Sequence, residues 1–278
     1  MRTRQRISVW TFGLLCITAM VASTLATTAA AAEPAVKPLK ALLVLGGCCH
    51  DYQAQQEILR KGISDRARVE ITIAYDPDKT ISHLNPVYEK ADWAAGYDVI
   101  IHDECTSGVK DLAVINRILD PHRHGLPAVL LHCGMHSYRS EGYPEATPWF
   151  EFTGLASTGH GPQAPIQLAF EKNEHEIIRG MTNWTTINEE LYNNSAGKLH
   201  DTATALVRGQ QTTKNKKGEE ATNNYVVAWT NKYQGTNVFA TTLGHNNATV
   251  EDSRYLDLVT RGLLWSCDKL NEQYLIGK

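Results

Sequence analysis

Short apolar runs alternate with amphipathic stretches through the first half of the chain. Leu39–Gly47 is an apolar run ending in two glycines, and it predicts a strand buried on both faces. Over residues 52–66, Ile58, Leu59 and Ile63 recur at helical spacing. Residues 69–75 predict a second strand, stopped by Asp76-Pro77, and residues 97–102 a third. Residues 109–123 carry Leu112, Ile115 and Leu119 at helical spacing, and Gly125-Leu-Pro127 leads into a strand ending at His132. Strands alternating with helices at these lengths predict a parallel sheet with right-handed crossovers. The second half changes period. Residues 165–170 alternate like a half-exposed strand, and residues 203–207, 225–229 and 237–242 predict further strands. The polar, lysine-rich stretch 210–224 reads as a hairpin loop. Residues 253–270 predict a closing helix with Leu256, Val259, Leu263 and Leu264 on one face.

The first residues follow a different logic. Arg2, Arg4 and Arg6 precede an apolar core, and an alanine-rich run follows at residues 29–32. This is the pattern of a secretory signal peptide cut near Ala32. The apolar core is short and threonine-rich for a membrane-spanning helix. The expected organisation is therefore a signal peptide over 1–32, a short linker over 33–38 and a single domain over 39–278, secreted or periplasmic. Cleavage removes three arginines and no acids, which takes the formal net charge from -3 to about -6. A mildly acidic mature chain argues against nucleic acid as a partner, and no second segment is long enough to place it in a membrane. Oligomeric state is not legible.

Removing Cys16 leaves Cys48, Cys49, Cys105, Cys133 and Cys267, an odd count and so an incomplete disulfide framework. Cys48 and Cys49 are adjacent and are not expected to pair with each other easily. Cys105 and Cys267 read as small buried residues at strand or helix ends.

The chemistry gathers where strands end. Gly46-Gly-Cys-Cys-His-Asp-Tyr52 offers a tight turn, a helix-capping Asp51, and His50 and Tyr52 on either side of it. His132-Cys-Gly-Met-His-Ser-Tyr-Arg139 places His132 at a sharp strand-to-helix turn that Gly134 permits. On a helix, His136 would share a face with His132, a spacing suited to a metal or to acid–base work. Cys133 is a further candidate nucleophile. His160 sits between two glycines, and His245 occupies a similar strand-end loop. Glu189 and Glu190 precede Leu191-Tyr192, and one of them can reach a histidine-lined cleft as a base or ligand. His83, His122, His124, His175 and His200 lie in polar contexts and read as surface; His102 is ambiguous. The plainer reading of each motif is a capping turn, a core histidine or a surface acid, and it is their number at strand ends that favours a site.

Together these motifs, with Thr241-Thr-Leu-Gly-His245, resemble the trehalose-utilisation, ThuA-like family over residues 39–270. The resemblance implies a flavodoxin-like three-layer α/β/α sandwich of the class I glutamine amidotransferase-like superfamily, with a mostly parallel central sheet plus extra strands from the second half. It also implies a role in bacterial carbohydrate use, on oxidised (3-keto) glycosides. In the amidotransferases a nucleophilic cysteine occupies the turn. Here His132 stands in that place, with Cys133 one step off, so glutaminase activity does not carry over.

The expected function is an exported carbohydrate-active enzyme, a lyase, isomerase or hydrolase working by acid–base chemistry. In this reading His132 and Glu190 are catalytic. His50, Asp51, Tyr52, Tyr138 and Arg139 orient the sugar, and His136, His160 and His245 hold a divalent metal such as zinc. The alternative is a non-catalytic sugar binder on a degenerate amidotransferase-like fold, stacking rings on Trp93, Trp149, Trp184 or Trp229.

Overall fold

The computed structural model describes residues 36–276 apart from 173 and 215–216, together with the isolated residue 8. The expected signal peptide thus lies outside the described residues but for residue 8. Residues from Val36 onward form one compact unit.

The strands are β1 (Leu39–Gly47), β2 (Val69–Asp76), β3 (Val99–Cys105), β4 (Ala128–Leu131), β5 (Ala164–Phe170), β6 (Trp184–Glu189), β7 (Ala203–Lys214), β8 (Glu220–Tyr233) and β9 (Thr236–Thr241). The helices are α1 (Tyr52–Ser64), α2 (Leu112–Arg123), α3 (Pro148–Thr153), α4 (Asn247–Val250) and α5 (Ser253–Ser266). All nine strands join one sheet in the order β2-β1-β3-β4-β9-β8-β7-β5-β6. From β2 to β9 the pairing is parallel, and from β9 to β6 it is antiparallel. The change follows from the connections. Helical crossovers return the chain in the same direction, whereas tight hairpins such as β8–β9 reverse it.

β3 is buried at every position, as a strand covered on both sides must be. On one face, α1 and α5 contribute Leu59, Ile63, Leu256, Val259 and Leu263 to a core with Leu43, Ile101 and Val129. On the other, α2 and α3 contribute Ile115, Ile118, Leu119, Trp149 and Phe152 to a core with Leu42, Ile100 and Leu130. The result is the expected three-layer sandwich with extra antiparallel strands.

Several boundaries move. β7 and β8 run far into the stretch read as loop, pairing through Lys214 and Glu220, because threonines and other residues suited to a pleated surface outweigh the polarity. β6 was hidden in a polar segment with no clear alternation. Two histidines read as surface are buried: His83 is 6% exposed and His122 0%. His122 lies on the inward face of α2.

His122 belongs to a polar cluster inside the second core. Its Nδ1 lies 2.7 Å from the Leu126 carbonyl, which only accepts, so Nδ1 carries a hydrogen. Burial holds the ring near a pKa of about 3, hence neutral, and its Nε2 must accept from His102 Nε2 at 3.1 Å. His102 Nδ1 faces Glu104 Oε1 at 3.0 Å. His102 thus links His122 to Glu104 across the core. Tyr88 and Tyr138 hydroxyls donate to the same oxygen at 2.7 and 2.9 Å. Burial alone would raise the Glu104 carboxyl, but the His102 charge and these hydrogen bonds hold it below its ordinary value.

Glu104→Ala leaves His102 and two tyrosine hydroxyls without their shared acceptor in the core. Chemical denaturation of the variant is expected to show a loss of about 3–5 kcal/mol, and a loss under about 1 kcal/mol would mean that the carboxylate does not hold this cluster together.

Candidate functional site

β1, β3, β4 and β9 are neighbours, and all four end in the same direction. Their carboxyl ends therefore open on one crevice, the usual ligand position of an open α/β sheet. After β1 the chain turns sharply. Gly47 has φ +89°, and a Cβ there would lie 2.3 Å from the Cys105 carbonyl oxygen. Cys49 also has positive φ, at 84°. This turn folds the two adjacent side chains together, and Cys48 and Cys49 form a disulfide, contrary to expectation. The strained backbone supplies what adjacency alone does not.

His50 follows. Asp51 is spent on structure: it caps α1 by accepting from the Ala54 backbone N–H at 3.3 Å and from Asn247 Nδ2 at 2.8 Å. Tyr52 is 3% exposed, and its buried hydroxyl has no hydrogen-bond partner.

After β4, His132 adopts φ +42° and opens a short 3₁₀ helix, His132–His136. A 3₁₀ helix has three residues per turn, so residues three apart align and residues four apart do not. His136 accordingly sits over Cys133, with Nε2 3.7 Å from its Sγ, and does not share a face with His132. His132 Nδ1 donates to the Thr242 carbonyl at 2.7 Å. That turns its Nε2 towards the Tyr192 hydroxyl at 3.2 Å and Glu190 at 3.5 Å.

The two adjacent acids, Glu189 at the end of β6 and Glu190 just past it, divide their labour. Glu189 accepts from the backbone N–H groups of His245 and Asn246 at 3.1 and 3.0 Å and so holds the loop after β9. Glu190 faces the histidines. One carboxylate oxygen lies 3.5 Å from His132 Nε2 and 3.4 Å from His160 Nε2, and the other lies 3.2 Å from His245 Nδ1. Gln163 spans Glu190 and His245 Nε2, at 3.4 and 2.7 Å. Burial alone would raise Glu190, but hydrogen bonds from His132 and His245, with the charges of His132 and His160, hold it well below the usual carboxylate range. Its hydrogen bond in turn raises His245. Burial, with neighbouring imidazoles, pushes His50 down to about 2, so its ring is neutral and keeps a lone pair.

His50, His132 and His245 each present a ligand atom within 4.8 Å of the others. Of the expected metal set, only His245 belongs to this trio. His136 is buried and stacked on Tyr192 at 4.4 Å between ring centroids, and burial drives it well below the ordinary value. His160 stacks on the same tyrosine at 5.4 Å, with its side chain 38% exposed. Tyr138 is not in the site at all, since it is fully buried and bonded to Glu104. Arg139 is turned to the His136 carbonyl and over the Tyr143 ring. Cys133 touches His50 Nε2 at 3.0 Å and Tyr192 Oη at 3.3 Å, but burial pushes its thiol far above the ordinary range, which disfavours the thiolate a nucleophile needs.

Tyr192 and Gln163 are the residues that sequence reasoning missed. Tyr192 was visible only as the aromatic after Glu189-Glu-Leu, not as the ring between His136 and His160; Gln163 carried no signal. The tryptophans invoked for sugar stacking do not serve. Trp93, Trp149 and Trp229 are buried, and Arg254 lies over the Trp184 ring at 4.1 Å. A cavity of about 700 Å³ lined by Trp184, Arg254 and Arg261 lies elsewhere, and none of the site histidines lines it.

The Glu190–His245 pair predicts a pH signature. The lowered carboxyl stabilises the fold above its ordinary value of 4.5, and that contribution is lost as pH falls through its folded value. The raised imidazole stabilises fully below its ordinary 6.5 and stops doing so as pH rises through its folded value. The excess Tm of the wild type over Glu190→Gln is expected to peak between these two values. A flat difference across pH 4–8 would show that the pair is not formed.

The fold and family comparisons agree. A ThuA-like protein from Parabacteroides merdae ATCC 43184 superimposes with TM-score 0.61 at 19% identity, covering 87% of this chain and 93% of that one. One from Bacteroides uniformis ATCC 8492 gives 0.59 at 15%, covering 84% and 94%. A β-galactosidase from Rahnella sp. R3 gives 0.51 at 11% identity, covering 84% of this chain and 32% of that one, which is likeness of fold alone. No curated protein sequence matches. The family model described as ThuA, trehalose utilisation, matches residues 40–266, and the chain belongs to that family.

Proposed function

We propose that this protein is an exported enzyme acting on carbohydrate by acid–base chemistry at a carbon beside a carbonyl, as in a 3-keto glycoside. One observation carries the reading. A single carboxylate is shared by three imidazoles at the mouth of the sheet, in a member of a carbohydrate-related family. That is more ionisable chemistry than holding neutral hydroxyls requires.

Glu190 is the proton-transfer group. It is ionised at neutral pH, and it stands against both the inner histidines and the exposed His160. A proton taken from the substrate carbon passes from Glu190 to His160 Nε2 at 3.4 Å and on to solvent. Tyr192, stacked between His136 and His160, fixes the rings along this route.

His50, His132 and His245 suit a divalent metal such as zinc. His50 is neutral, with Nδ1 buried and unpartnered, and His132 is held by Nδ1 on the Thr242 carbonyl, so that Nε2 is the nitrogen it turns to the site. A metal bound there would act as a Lewis acid on a carbonyl oxygen. This assigns His132 to holding a metal, where the sequence had suggested proton transfer. Isomerisation, or β-elimination with glycosidic cleavage, are the reaction types that such a site suits.

The test is a 3-keto disaccharide incubated with the protein in deuterated water and followed by NMR. Deuterium is expected at the carbon beside the carbonyl, with or without bond cleavage, and Glu190→Gln should slow exchange by about 10²–10⁴-fold. A sugar that binds yet returns unlabelled and intact would make the protein a binder and end the enzymatic reading.

A further inference from the structure

Four cysteine sulfurs and one imidazole form a continuous chain beside the histidine trio. Cys48, bonded to Cys49, has its Sγ 3.5 Å from Cys105 Sγ. Cys105 Sγ is 2.8 Å from Cys133 Sγ, and Cys133 Sγ is 3.0 Å from His50 Nε2. The ligand atoms of His50, Cys105 and Cys133 all lie within 4.8 Å of one another, as do those of Cys48, Cys49 and Cys105. The carbohydrate reading uses none of these sulfurs.

We propose that Cys105, Cys133 and His50 form a binding site for a thiophilic cation of the zinc or copper(I) kind, and that Cys48 becomes its fourth ligand when the Cys48–Cys49 disulfide is reduced. Zinc–sulfur bonds of about 2.3 Å put two thiolates on one tetrahedral ion roughly 3.8 Å apart. The Cys48–Cys105 spacing already fits. The Cys105–Cys133 pair must open by about 1 Å, within reach of side-chain rotation at the ends of two strands. Three sulfurs and one imidazole are the donor set that soft cations select over oxygen ligands.

The position explains the redox link. Cys105 and Cys133 are buried, whereas Cys49 is exposed, so a soluble dithiol reaches the disulfide from outside. Its two sulfurs give up two electrons and two protons and close into their own disulfide. The Cys48–Cys49 bond breaks, and each of the two sulfurs takes one electron and one proton. Each thiol that then binds the cation releases its proton. His50 presents Nε2 to Cys133 and a second, unpartnered nitrogen, Nδ1, so its ring stands between the sulfur group and the histidine trio.

The test uses Cd²⁺ alone, added without oxygen to the full chain before and after treatment with a dithiol that is then removed. Cadmium–thiolate charge transfer in the ultraviolet counts bound sulfurs, and cadmium on histidines alone gives none. The untreated protein is expected to show a band for two thiolates. Reduction should raise it about 1.5-fold, as a third sulfur joins, and tighten binding roughly tenfold or more. Cys105→Ser and Cys133→Ser should abolish the band, and Cys267→Ser, at a free cysteine on the end of α5, should keep it. Glu190→Gln should also keep it, so failure here is separate from failure of the carbohydrate reading. The proposal is overturned if reduced wild-type protein shows no band, if reduction changes neither intensity nor affinity, or if the band survives both serine variants. The wild-type comparison needs no variant to fold.

Discussion

A carboxylate taken out of water must be met by donors, and the way Glu104 is met organises the carboxyl end of this sheet. Its three donors come from His102 on its own strand, from Tyr88, and from Tyr138 just beyond the short helix that carries His132, Cys133 and His136. Ser137 adds a second tie. Its hydroxyl donates to the Glu104 carbonyl at 2.7 Å and accepts from the Thr106 N–H at 3.0 Å. The end of β3 and the turn after β4 are thereby locked together. The tight turn itself depends on Gly134, where a Cβ would fall 2.5 Å from the His102 carbonyl oxygen. The buried cluster thus acts on the site without entering it, by fixing the backbone from which the site histidines project.

On that frame, the site is a problem of charge. Five histidines, one glutamate and two thiols share a small volume, and they are kept compatible by holding most of them neutral. Burial does this for His50, His136 and Cys133. Glu190, itself buried, keeps its charge through the histidines around it, of which His160 is exposed. The charged pair therefore sits at the entrance, and the neutral ligands lie behind it, where lone pairs rather than charges are presented to whatever enters.

The parallel half of the fold was legible because its strands are apolar throughout and are separated by helices with clear faces; β1 ends at the residues expected of it. The strand ends also announced where chemistry would gather. Roles within the gathering were not legible. Whether His136 joins His132 depends on a helical period of three rather than 3.6, which the residues do not encode. Tyr138 looked like a sugar contact and is a core residue, because one position past a 3₁₀ turn decides the side of the sheet it enters. β6 and the far ends of β7 and β8 escaped for a related reason: their threonines pair well in a ladder, but the polar residues around them read as loop. The disulfide depended on positive φ at Cys49, a property of the folded turn.

The division between Glu189 and Glu190 rests on β6, an outer strand held on one side only, by β5, through a ladder with an irregularity between Pro165 and Gln167. Neighbouring residues on a strand face opposite ways, so a one-residue slip of β6 would bring either Glu190 to the loop anchor and Leu191 among the imidazoles, or Asn188 to the anchor and Glu189 among the imidazoles. In either direction only one of the two tasks keeps a carboxylate. The twin acids thus tie the charge of the crevice to the pairing of the outermost strand, and a shift there would unmake either the loop or the imidazole cluster.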